Sequence, residues 1–336
     1  MIGKDPEVSE ARETSSEEIV VADIGGTHAR FALARIAAGR VLALGEATTL
    51  RVADHASLPA AWRAFAALLG RAPPRAAAFA VACPVRGDVL KFTNNPWTFR
   101  RAALTAEIGV ERLIFINDFG AVGHAVAQAG AQDLIHIAGP RRPLPRPGIV
   151  SILGPGTGLG VAQLLLDPKS YRVVETEGGH VDFAPQDAFE DDLLQRLRRQ
   201  FSRVSIERLI SGSGLAQIRA ALPGAQDAPV FVDNRDLWAA AISGADPLAR
   251  AALERFCLCL GAIAGDVALT QGANAIVLAG GLSPRIAHLL PQTGFARRLT
   301  AKGRYAAMMA DLPVWLIAHP QPGLFGAAAA FAARYQ

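Results

Sequence analysis

The residues whose types and spacing could do chemistry begin in the stretch IVVADIGGTHARFALA, from Ile19 to Ala34. Two glycines permit a tight turn and the close approach of a ligand to the backbone. A carboxylate at a strand end offers an oxygen ligand to a cation. The stretch predicts a strand, a glycine turn and a second strand that hold a phosphate and Mg²⁺, with an ordinary tight β-turn as the alternative. The turn residues are Asp23, Ile24, Gly25, Gly26, Thr27 and His28.

A second glycine loop, from Gly154 to Gly160, repeats this order of strand, glycine loop with threonine, and strand. Alternating glycines expose successive backbone N–H groups, which can form a nest for an anion. A flexible turn is the alternative for this loop alone. The repeat indicates a duplicated fold with a cleft between its halves. The sequence contains neither a P-loop motif nor a Rossmann glycine motif.

Asn117 and Asp118 end a buried apolar strand, where α/β sheets place their ligands. A helix N-cap is the ordinary role of such a pair, and a general base that takes a proton from a hydroxyl is the functional one.

The segment from Glu177 to His180 offers an acceptor and a donor that suit a polyol. Glu207 by itself is consistent with a helix-capping residue.

The glycine pair Gly280 and Gly281 follows a buried strand and precedes a helix. It allows a flat ligand such as adenine to approach, and a plain strand-to-helix turn is the alternative.

Hydrophobic periodicity predicts the elements that must position these residues. Strands are predicted at Val41–Leu50, Ala76–Ala82, Asp88–Phe92, Leu113–Ile116, Ile149–Leu153, Val161–Leu166, Ala275–Leu278 and Pro313–Ile317. Helices are predicted at Leu58–Leu69, Leu104–Ile108, Gly120–Gln128, Ala188–Phe201, Ile206–Ile210, Leu215–Leu222, Arg235–Ser243, Pro247–Leu269 and Gly323–Tyr335, with a further helix beginning near Pro284.

Composition limits the classes of function. The chain has 336 residues, 51% of them hydrophobic, and its apolar runs are too short to span a bilayer. The net charge is +4, but the arginine clusters are short and scattered, which indicates a solvated surface rather than a nucleic-acid site. Three cysteines give no disulfide framework, and no apolar signal segment precedes Ile19. We therefore expect a cytoplasmic protein with a disordered polar tail over residues 1–18.

In combination these motifs resemble the bacterial glucokinase family, the ATP-dependent sugar kinases of the actin/hexokinase/Hsp70 superfamily. The resemblance extends from about Ile19 to the C-terminus. It implies a two-lobed, ribonuclease-H-like α/β fold in which each lobe is a mixed sheet with flanking helices and the ligand cleft lies between the lobes. The implied lobes are residues 19–128 plus 318–336 and residues 129–317. The motifs, in order, are DIGGTHARFAL, ACPV, FTNNPW, INDFGAV, GPGTGLGVA, EGGHVDFAP, ERLISGSGL, LAGGLSPR, KGR and PGLFGAA.

The resemblance also implies roles for individual residues in the phosphorylation of glucose by ATP. Asp118 corresponds to the catalytic base, and Asp23 lies near Mg²⁺, through a water. The first phosphate loop comprises Asp23, Ile24, Gly25, Gly26, Thr27 and His28; the second contains Gly154, Gly156, Thr157 and Gly158; and Gly280 with Gly281 belongs to the adenosine site. Glucose is bound by Asn94, Asn117, Asp118, Glu177, His180 and Glu207.

The sequence departs from the family pattern at His28, Pro155 and Ser213, where Asn, Ala and Pro are usual, and none of these changes removes a catalytic group. The cysteine-rich zinc motif of the related repressor–ORF–kinase proteins is missing, which favours the glucokinase branch. Relatives are often homodimers, so we expect a homodimer. A kinase for another hexose and a non-catalytic sugar sensor remain alternatives.

Overall fold

The computed structural model describes residues 16–92 and 95–336. The chain divides into two compact units, Met1–Asp118 with Ala327–Gln336 and Phe119–Gly326. The predicted lobes place these divisions at other residues, and that lobe assignment stays a prediction. The tail prediction for residues 1–18 falls mainly outside the described residues, but it is wrong for Glu17 and Glu18. Both lie in the first strand, where Arg112 and Arg71 pair with their carboxylates.

The first unit is built on a six-stranded sheet of order β3-β2-β1-β5-β8, with β4 also paired to β2. β1 is antiparallel to β2 but parallel to β5, which is in turn parallel to β8. The carboxyl ends of β1, β5 and β8 therefore meet at one edge of this sheet. The elements are β1 (Glu17–Ile24), β2 (His28–Ala37), β3 (Arg40–Leu44), β4 (Thr48–Arg51), α1 (Leu58–Leu68), β5 (Ala76–Val81), β6 (Val89–Lys91), β7 (Thr98–Arg100), α2 (Arg101–Ile108) and β8 (Arg112–Asn117).

Aromatic side chains fill the core of the first unit. Phe31 of β2 stacks on Phe65 of α1 at a ring-centroid distance of 5.1 Å, and Phe79 of β5 meets Phe115 edge-on at 5.8 Å. Ser57 caps the start of α1 by accepting the N–H of Ala60. Buried aromatic rings on the strands and on α1 thus stabilise the sheet that carries the first glycine turn.

The second unit contains a six-stranded sheet of order β12-β11-β10-β13-β14-β9. Its elements are α3 (Asp118–Gln128), β9 (Leu134–Ala138), β10 (Gly148–Pro155), β11 (Leu159–Leu166), β12 (Tyr171–Thr176), α4 (Ala188–Arg198), α5 (Gly214–Ala221), α6 (Asn234–Ser243), α7 (Pro247–Gln271), β13 (Ala275–Leu278), α8 (Ser283–Ile286), α9 (Phe295–Thr300), α10 (Ala306–Ala310), β14 (Val314–Ile317) and α11 (Pro322–Tyr335). The first residue of α3 and the end of α11 belong to the first unit.

The two sheets repeat one arrangement. In each, three antiparallel strands (β1 to β3, and β10 to β12) are followed by two parallel strands, β5 and β8 in the first unit and β13 and β14 in the second. The glycine turns connect β1 to β2 and β10 to β11. The predicted α/β class, with two mixed sheets flanked by helices, is confirmed.

Several local predictions are wrong. The strand predicted at Val41–Leu50 is two strands, β3 and β4, which pair with different parts of β2. The helix predicted at Ile206–Ile210 is only a 3₁₀ turn over Ile206–Arg208. The elements β7, β9, β12, α9 and α10 were not predicted, since they are short or carry few apolar residues.

Strand β12 packs against helix α3 through two helix glycines. A Cβ at Gly120 would lie 2.5 Å from Glu175 Oε1, and one at Gly123 would lie 2.7 Å from Val173 Cγ1. His124 Nδ1, one residue further along the helix, lies 3.1 Å from the hydroxyl of Tyr171. Alternate residues of the strand thus lie against positions i, i+3 and i+4 of the helix, which share one helix face.

An ion-pair network joins α4, α7 and α9 in the core of the second unit. Glu190, whose side chain is 1% exposed, lies 2.9 Å from Arg255 Nη1 and 3.1 Å from Arg298 Nη2. Asp187 also pairs with both arginines. No helix in the described ranges combines the length and the apolar character that crossing a membrane requires.

Candidate active site

The first glycine turn leaves backbone donors open. Gly25 donates to the carbonyl of His28 at 3.0 Å, and the carbonyl of Thr27 accepts the N–H of Val52 at 2.9 Å. Within residues 16–92 and 95–336, the N–H groups of Gly26 and Thr27 have no hydrogen-bond partner. Two successive open N–H groups at a turn can bind an anion.

Asp23 lies at the end of β1, directly before this turn. Its carboxylate is 3.3 Å from Arg30 Nη1; burial raises the pKa of Asp23, and the Arg30 charge opposes that rise. In the parts of the chain that the structure describes, no group of three or more His, Cys, Asp or Glu could hold a metal ion. Mg²⁺ is commonly bound by one or two carboxylates plus substrate phosphates, so Asp23 fits a metal that arrives with a nucleotide.

Asn95 supports the first turn and was not predicted as a site residue. The residue is 7% exposed, and its side chain donates to the carbonyl of Gly25 at 3.2 Å and accepts the N–H of Trp97 at 2.9 Å. The neighbouring Asn94, predicted to bind sugar, lies outside the described residues. The Asn-Asn pair in the sequence was a signal for both, and the structure shows that the Asn95 amide contacts the turn.

Asn117 and Asp118 lie at the same sheet edge as the first turn. Ile24, at the end of β1, pairs with Val81 of β5, and Val81 pairs with Asn117 of β8. Burial and the negative charge of Asp118 raise the pKa of the Cys83 thiol to about 11. The first unit thus brings the predicted base and the predicted phosphate turn to the same sheet edge, at the ends of two strands that are separated by β5.

The second glycine loop connects β10 and β11 and is held by backbone hydrogen bonds, both within the loop and to Gly212. Gly156 donates to the carbonyl of Gly158 at 2.8 Å and accepts the N–H of Gly212, also at 2.8 Å. A Cβ at Gly154 would lie 1.8 Å from the carbonyl oxygen of Ala279, so only glycine fits there. Among the described residues, the N–H groups of Thr157 and Gly158 have no hydrogen-bond partner, as at the first turn.

Gly280 and Gly281 lie beside this loop at the end of β13. Gly280 has φ = +77°, and a Cβ on it would be 2.5 Å from the carbonyl oxygen of Pro155. That carbonyl also accepts the N–H of Leu282 at 3.1 Å. A Cβ at Gly281 would meet no atom within 4 Å, so a ligand has room to approach it.

Glu177, His180 and Glu207 form one cluster in the second unit. His180 Nε2 is 4.0 Å from Glu177 Oε2, and His180 Nδ1 is 3.9 Å from Glu207 Oε1. The side chains of Glu177 and His180 are 65% and 56% exposed, whereas that of Glu207 is 29% exposed. The other oxygen of Glu207 accepts the N–H of Leu159 at 3.0 Å, which ties the cluster to the second glycine loop.

Gly212 is a supporting residue that sequence reasoning did not assign. Besides its bond to Gly156, its carbonyl accepts the indole N–H of Trp238 at 2.8 Å. The segment ISGSG in the sequence signalled a turn, but the loop that it supports is distant along the chain.

Two mixed sheets of one strand order, each with a glycine turn that leaves N–H groups open, define the class of actin/hexokinase-type sugar kinases. A family model described as glucokinase matches residues 20–334. A glucokinase from Zymomonas mobilis is 56% identical over 319 residues, covering 95% of this chain and 98% of its own. A glucokinase from Stenotrophomonas maltophilia is 41% identical over 321 residues, covering 94% and 95%. The chain belongs to the glucokinase family.

Solved structures show the same fold. The crystal structure of a glucokinase from an Antarctic psychrotroph has a TM-score of 0.80 at 31% identity, covering 93% of this chain and 98% of that one. A glucokinase from Balamuthia mandrillaris, solved in complex with glucose, has a TM-score of 0.77 at 22% identity, covering 97% and 95%.

Proposed function

We propose that this protein transfers the γ-phosphoryl group of ATP to the 6-hydroxyl of glucose and so forms glucose 6-phosphate, the first step of glycolysis. One observation in the second unit carries the proposal. The cluster of Glu177, His180 and Glu207 is bonded through Leu159 to a glycine loop with two open N–H groups. Donors and acceptors that suit a sugar therefore adjoin backbone groups that suit a phosphate.

Each group of predicted ligand residues has a task in the proposed reaction. The open N–H groups at Gly26, Thr27, Thr157 and Gly158 offset negative charge on the phosphates. Gly281 gives the adenosine room, and Glu177, His180 and Glu207 bind sugar hydroxyls with Asn94 and Asn117. Asp23 would hold Mg²⁺ through a water, and the metal would neutralise charge on the phosphoryl oxygens when it is bound.

Asp118 is the proposed general base. Its carboxylate takes the proton of the 6-hydroxyl as the oxygen attacks the γ-phosphorus, and the bond from phosphorus to the β–γ bridging oxygen breaks, releasing ADP. The surrounding groups hold the two reactants in line, which is the main source of rate in phosphoryl transfer. A general base typically supplies about 10²–10⁴ in rate.

A coupled assay of ADP release across sugars and phosphoryl donors tests the proposed reaction. We expect glucose to give a higher kcat/KM than mannose, fructose or N-acetylglucosamine, and ATP to be the preferred donor. A higher kcat/KM for another hexose would make the protein a kinase for that sugar. Tight glucose binding without any ATP turnover would instead indicate the non-catalytic sensor.

The cellular setting is part of the proposal. Cys83, Cys257 and Cys259 are buried and free, and burial raises the thiol pKa of each, which fits a reducing cytoplasm. We propose a homodimer that acts on glucose and ATP and binds no nucleic acid or membrane. Light scattering at micromolar concentration tests the dimer, and a monomer mass would contradict it.

A further inference from the structure

Glu207 contacts both predicted ligand regions of the second unit. Its Oε2 atom accepts the backbone N–H of Leu159 at 3.0 Å, at the end of the second glycine loop. Its Oε1 atom lies 3.9 Å from Nδ1 of His180 in the sugar cluster. One carboxylate thus has one oxygen on the loop and the other among the groups proposed to bind glucose.

The loop is shaped around this carboxylate. A Cβ at Gly158 would lie only 2.3 Å from Glu207 Oε2, so the carboxylate occupies the space that any larger residue would need. Gly158 carries one of the two open N–H groups of the loop. The position of the Glu207 carboxylate therefore affects the backbone that is proposed to face the phosphates.

The backbone of Glu207 is itself held in place. It lies in the 3₁₀ turn Ile206–Arg208, where the N–H of Ile206 donates to the carbonyl of Val181 at 2.9 Å. Ile206 is 4% exposed and part of the core of the second unit. A side chain anchored in this way can hold the loop without any ligand present.

We propose that Glu207 is a positioning residue for the nucleotide loop in addition to a sugar ligand, so that it couples the two substrates. The inference rests on the proposed function. The hydrogen bond that the Leu159 N–H donates to the charged Glu207 carboxylate fixes the end of the loop, and a glucose hydroxyl that donates to Oε1 fixes the same carboxylate from its other side. Bound glucose then tightens nucleotide binding, and the reverse coupling is equal by linkage.

Nucleotide affinity measured without sugar separates this role from that of a sugar ligand alone. Calorimetry with a non-hydrolysable ATP analogue is expected to show about five-fold weaker binding for Glu207→Ala, which loses the hydrogen bond. Glu207→Gln retains an amide oxygen for the Leu159 N–H, so its nucleotide affinity stays within about two-fold of wild type. Glu177→Gln is the matched control, because its carboxylate lies in the sugar cluster and does not bond the loop.

A double-mutant cycle with Gly158→Ala sharpens the test. In the wild-type background the added methyl group displaces the carboxylate and weakens nucleotide binding, whereas in the Glu207→Ala background it has no carboxylate to displace. The two effects are therefore expected to be non-additive. Circular dichroism checks the folding of each variant, and we expect Glu207→Gln to fold natively because it preserves the side-chain shape.

The coupling itself is measured by repeating the nucleotide titration with saturating glucose. We expect wild type and Glu177→Gln to bind the analogue at least about five-fold more tightly with glucose, and Glu207→Ala to lose that gain. Unchanged sugar-free nucleotide affinity in Glu207→Ala, or additive effects in the cycle, would overturn the inference while leaving the proposed reaction intact. A wild-type protein that bound neither glucose nor the analogue would overturn the proposed function itself.

Discussion

At the scale of single residues, the adjacent glycines 280 and 281 have different reasons to be glycine. Gly280 has a positive φ and lies against the carbonyl of Pro155, whereas Gly281 has open space around it. An alanine in the left-handed region costs about 1–2 kcal/mol before any clash is counted. Mutation can therefore separate the effect of the backbone conformation at Gly280 on stability from the effect of the open space at Gly281 on ligand binding.

We predict that Gly280→Ala lowers the free energy of unfolding by at least about 1–2 kcal/mol. Gly281→Ala is expected to change stability by less than about 0.5 kcal/mol but to raise the KM for ATP, because its methyl group occupies the space proposed for adenosine. Urea unfolding and steady-state kinetics measure the two effects. A normal ATP KM in Gly281→Ala would place the adenosine elsewhere.

The residues predicted from the sequence were those whose chemistry is visible locally. Gly25 and Gly154 belong to glycine-rich segments between apolar strands, and Asp118 directly follows an apolar strand. Asn95 and Gly212 escaped prediction because their roles depend on hydrogen bonds to carbonyl or N–H groups far away in the chain. A polar or glycine residue that acts through such a contact has no local pattern to reveal it.

At the scale of elements, the ion-pair network of α4, α7 and α9 shows how burial changes the free-energy cost of losing one partner of an ion pair. Arg255 and Glu190 are 2.9 Å apart in the core, and Arg75 and Glu111 are also 2.9 Å apart but at the surface. Removing one partner of a buried pair costs about 3–5 kcal/mol, whereas an exposed pair contributes about 0–1 kcal/mol.

We therefore predict that Glu190→Gln destabilises the fold by about 3–5 kcal/mol, and that the matched change Glu111→Gln costs less than about 1 kcal/mol. Chemical denaturation of both variants at neutral pH provides the comparison. Equal losses in the two would show that the buried arginines are satisfied without Glu190.

The contact between α3 and β12 predicts a pH dependence of stability. Burial lowers the pKa of His124 to about 4, from an ordinary value of 6.5. Between pH 4 and pH 6.5 the unfolded chain therefore binds more protons at this position than the folded chain does. The contribution of neutral His124 to the free energy of unfolding is fully present above pH 6.5 and is lost as the pH falls towards 4.

We expect wild type to lose about 2–3 kcal/mol more stability than His124→Gln between pH 7 and pH 4.5. The variant does not titrate in this range but keeps a polar partner for Tyr171. The midpoints and slopes of urea unfolding at the two pH values give the free energy of unfolding of each protein. Subtracting the two losses removes the contribution of the other titrating groups, which both proteins share. Parallel losses in both proteins would show that His124 is not held neutral.

Element prediction succeeded where apolar periodicity was strong, as in β5 and in the long helix α7. It failed at β12, whose sequence YRVVET alternates at a sheet edge and has no long apolar run. The packing of helix α3 on β12, through Gly120 and Gly123, is visible only in the folded chain. Edge strands of this kind are determined by their tertiary neighbours more than by propensity.

At the scale of the whole molecule, the duplicated order of the two sheets explains why the glycine turns recur. Each turn connects the first two strands of its sheet and leaves two N–H groups open among the described residues. The sequence revealed this repeat because both turns carry glycines and threonine between apolar strands. It did not reveal where one unit ends, because the chain passes between the units at the start of α3 and within α11 rather than in a linker.

The most direct test of the central claim is the comparison of turnover with glucose binding in Asp118→Asn. If Asp118 is the general base of the phosphoryl transfer, kcat falls by about 10²–10⁴, while the glucose Kd from calorimetry stays close to the wild-type value. The same change at the exposed carboxylate of Asp88, which pairs with Arg100 on the surface, should leave both quantities unaltered. Near-normal turnover in Asp118→Asn would contradict the account.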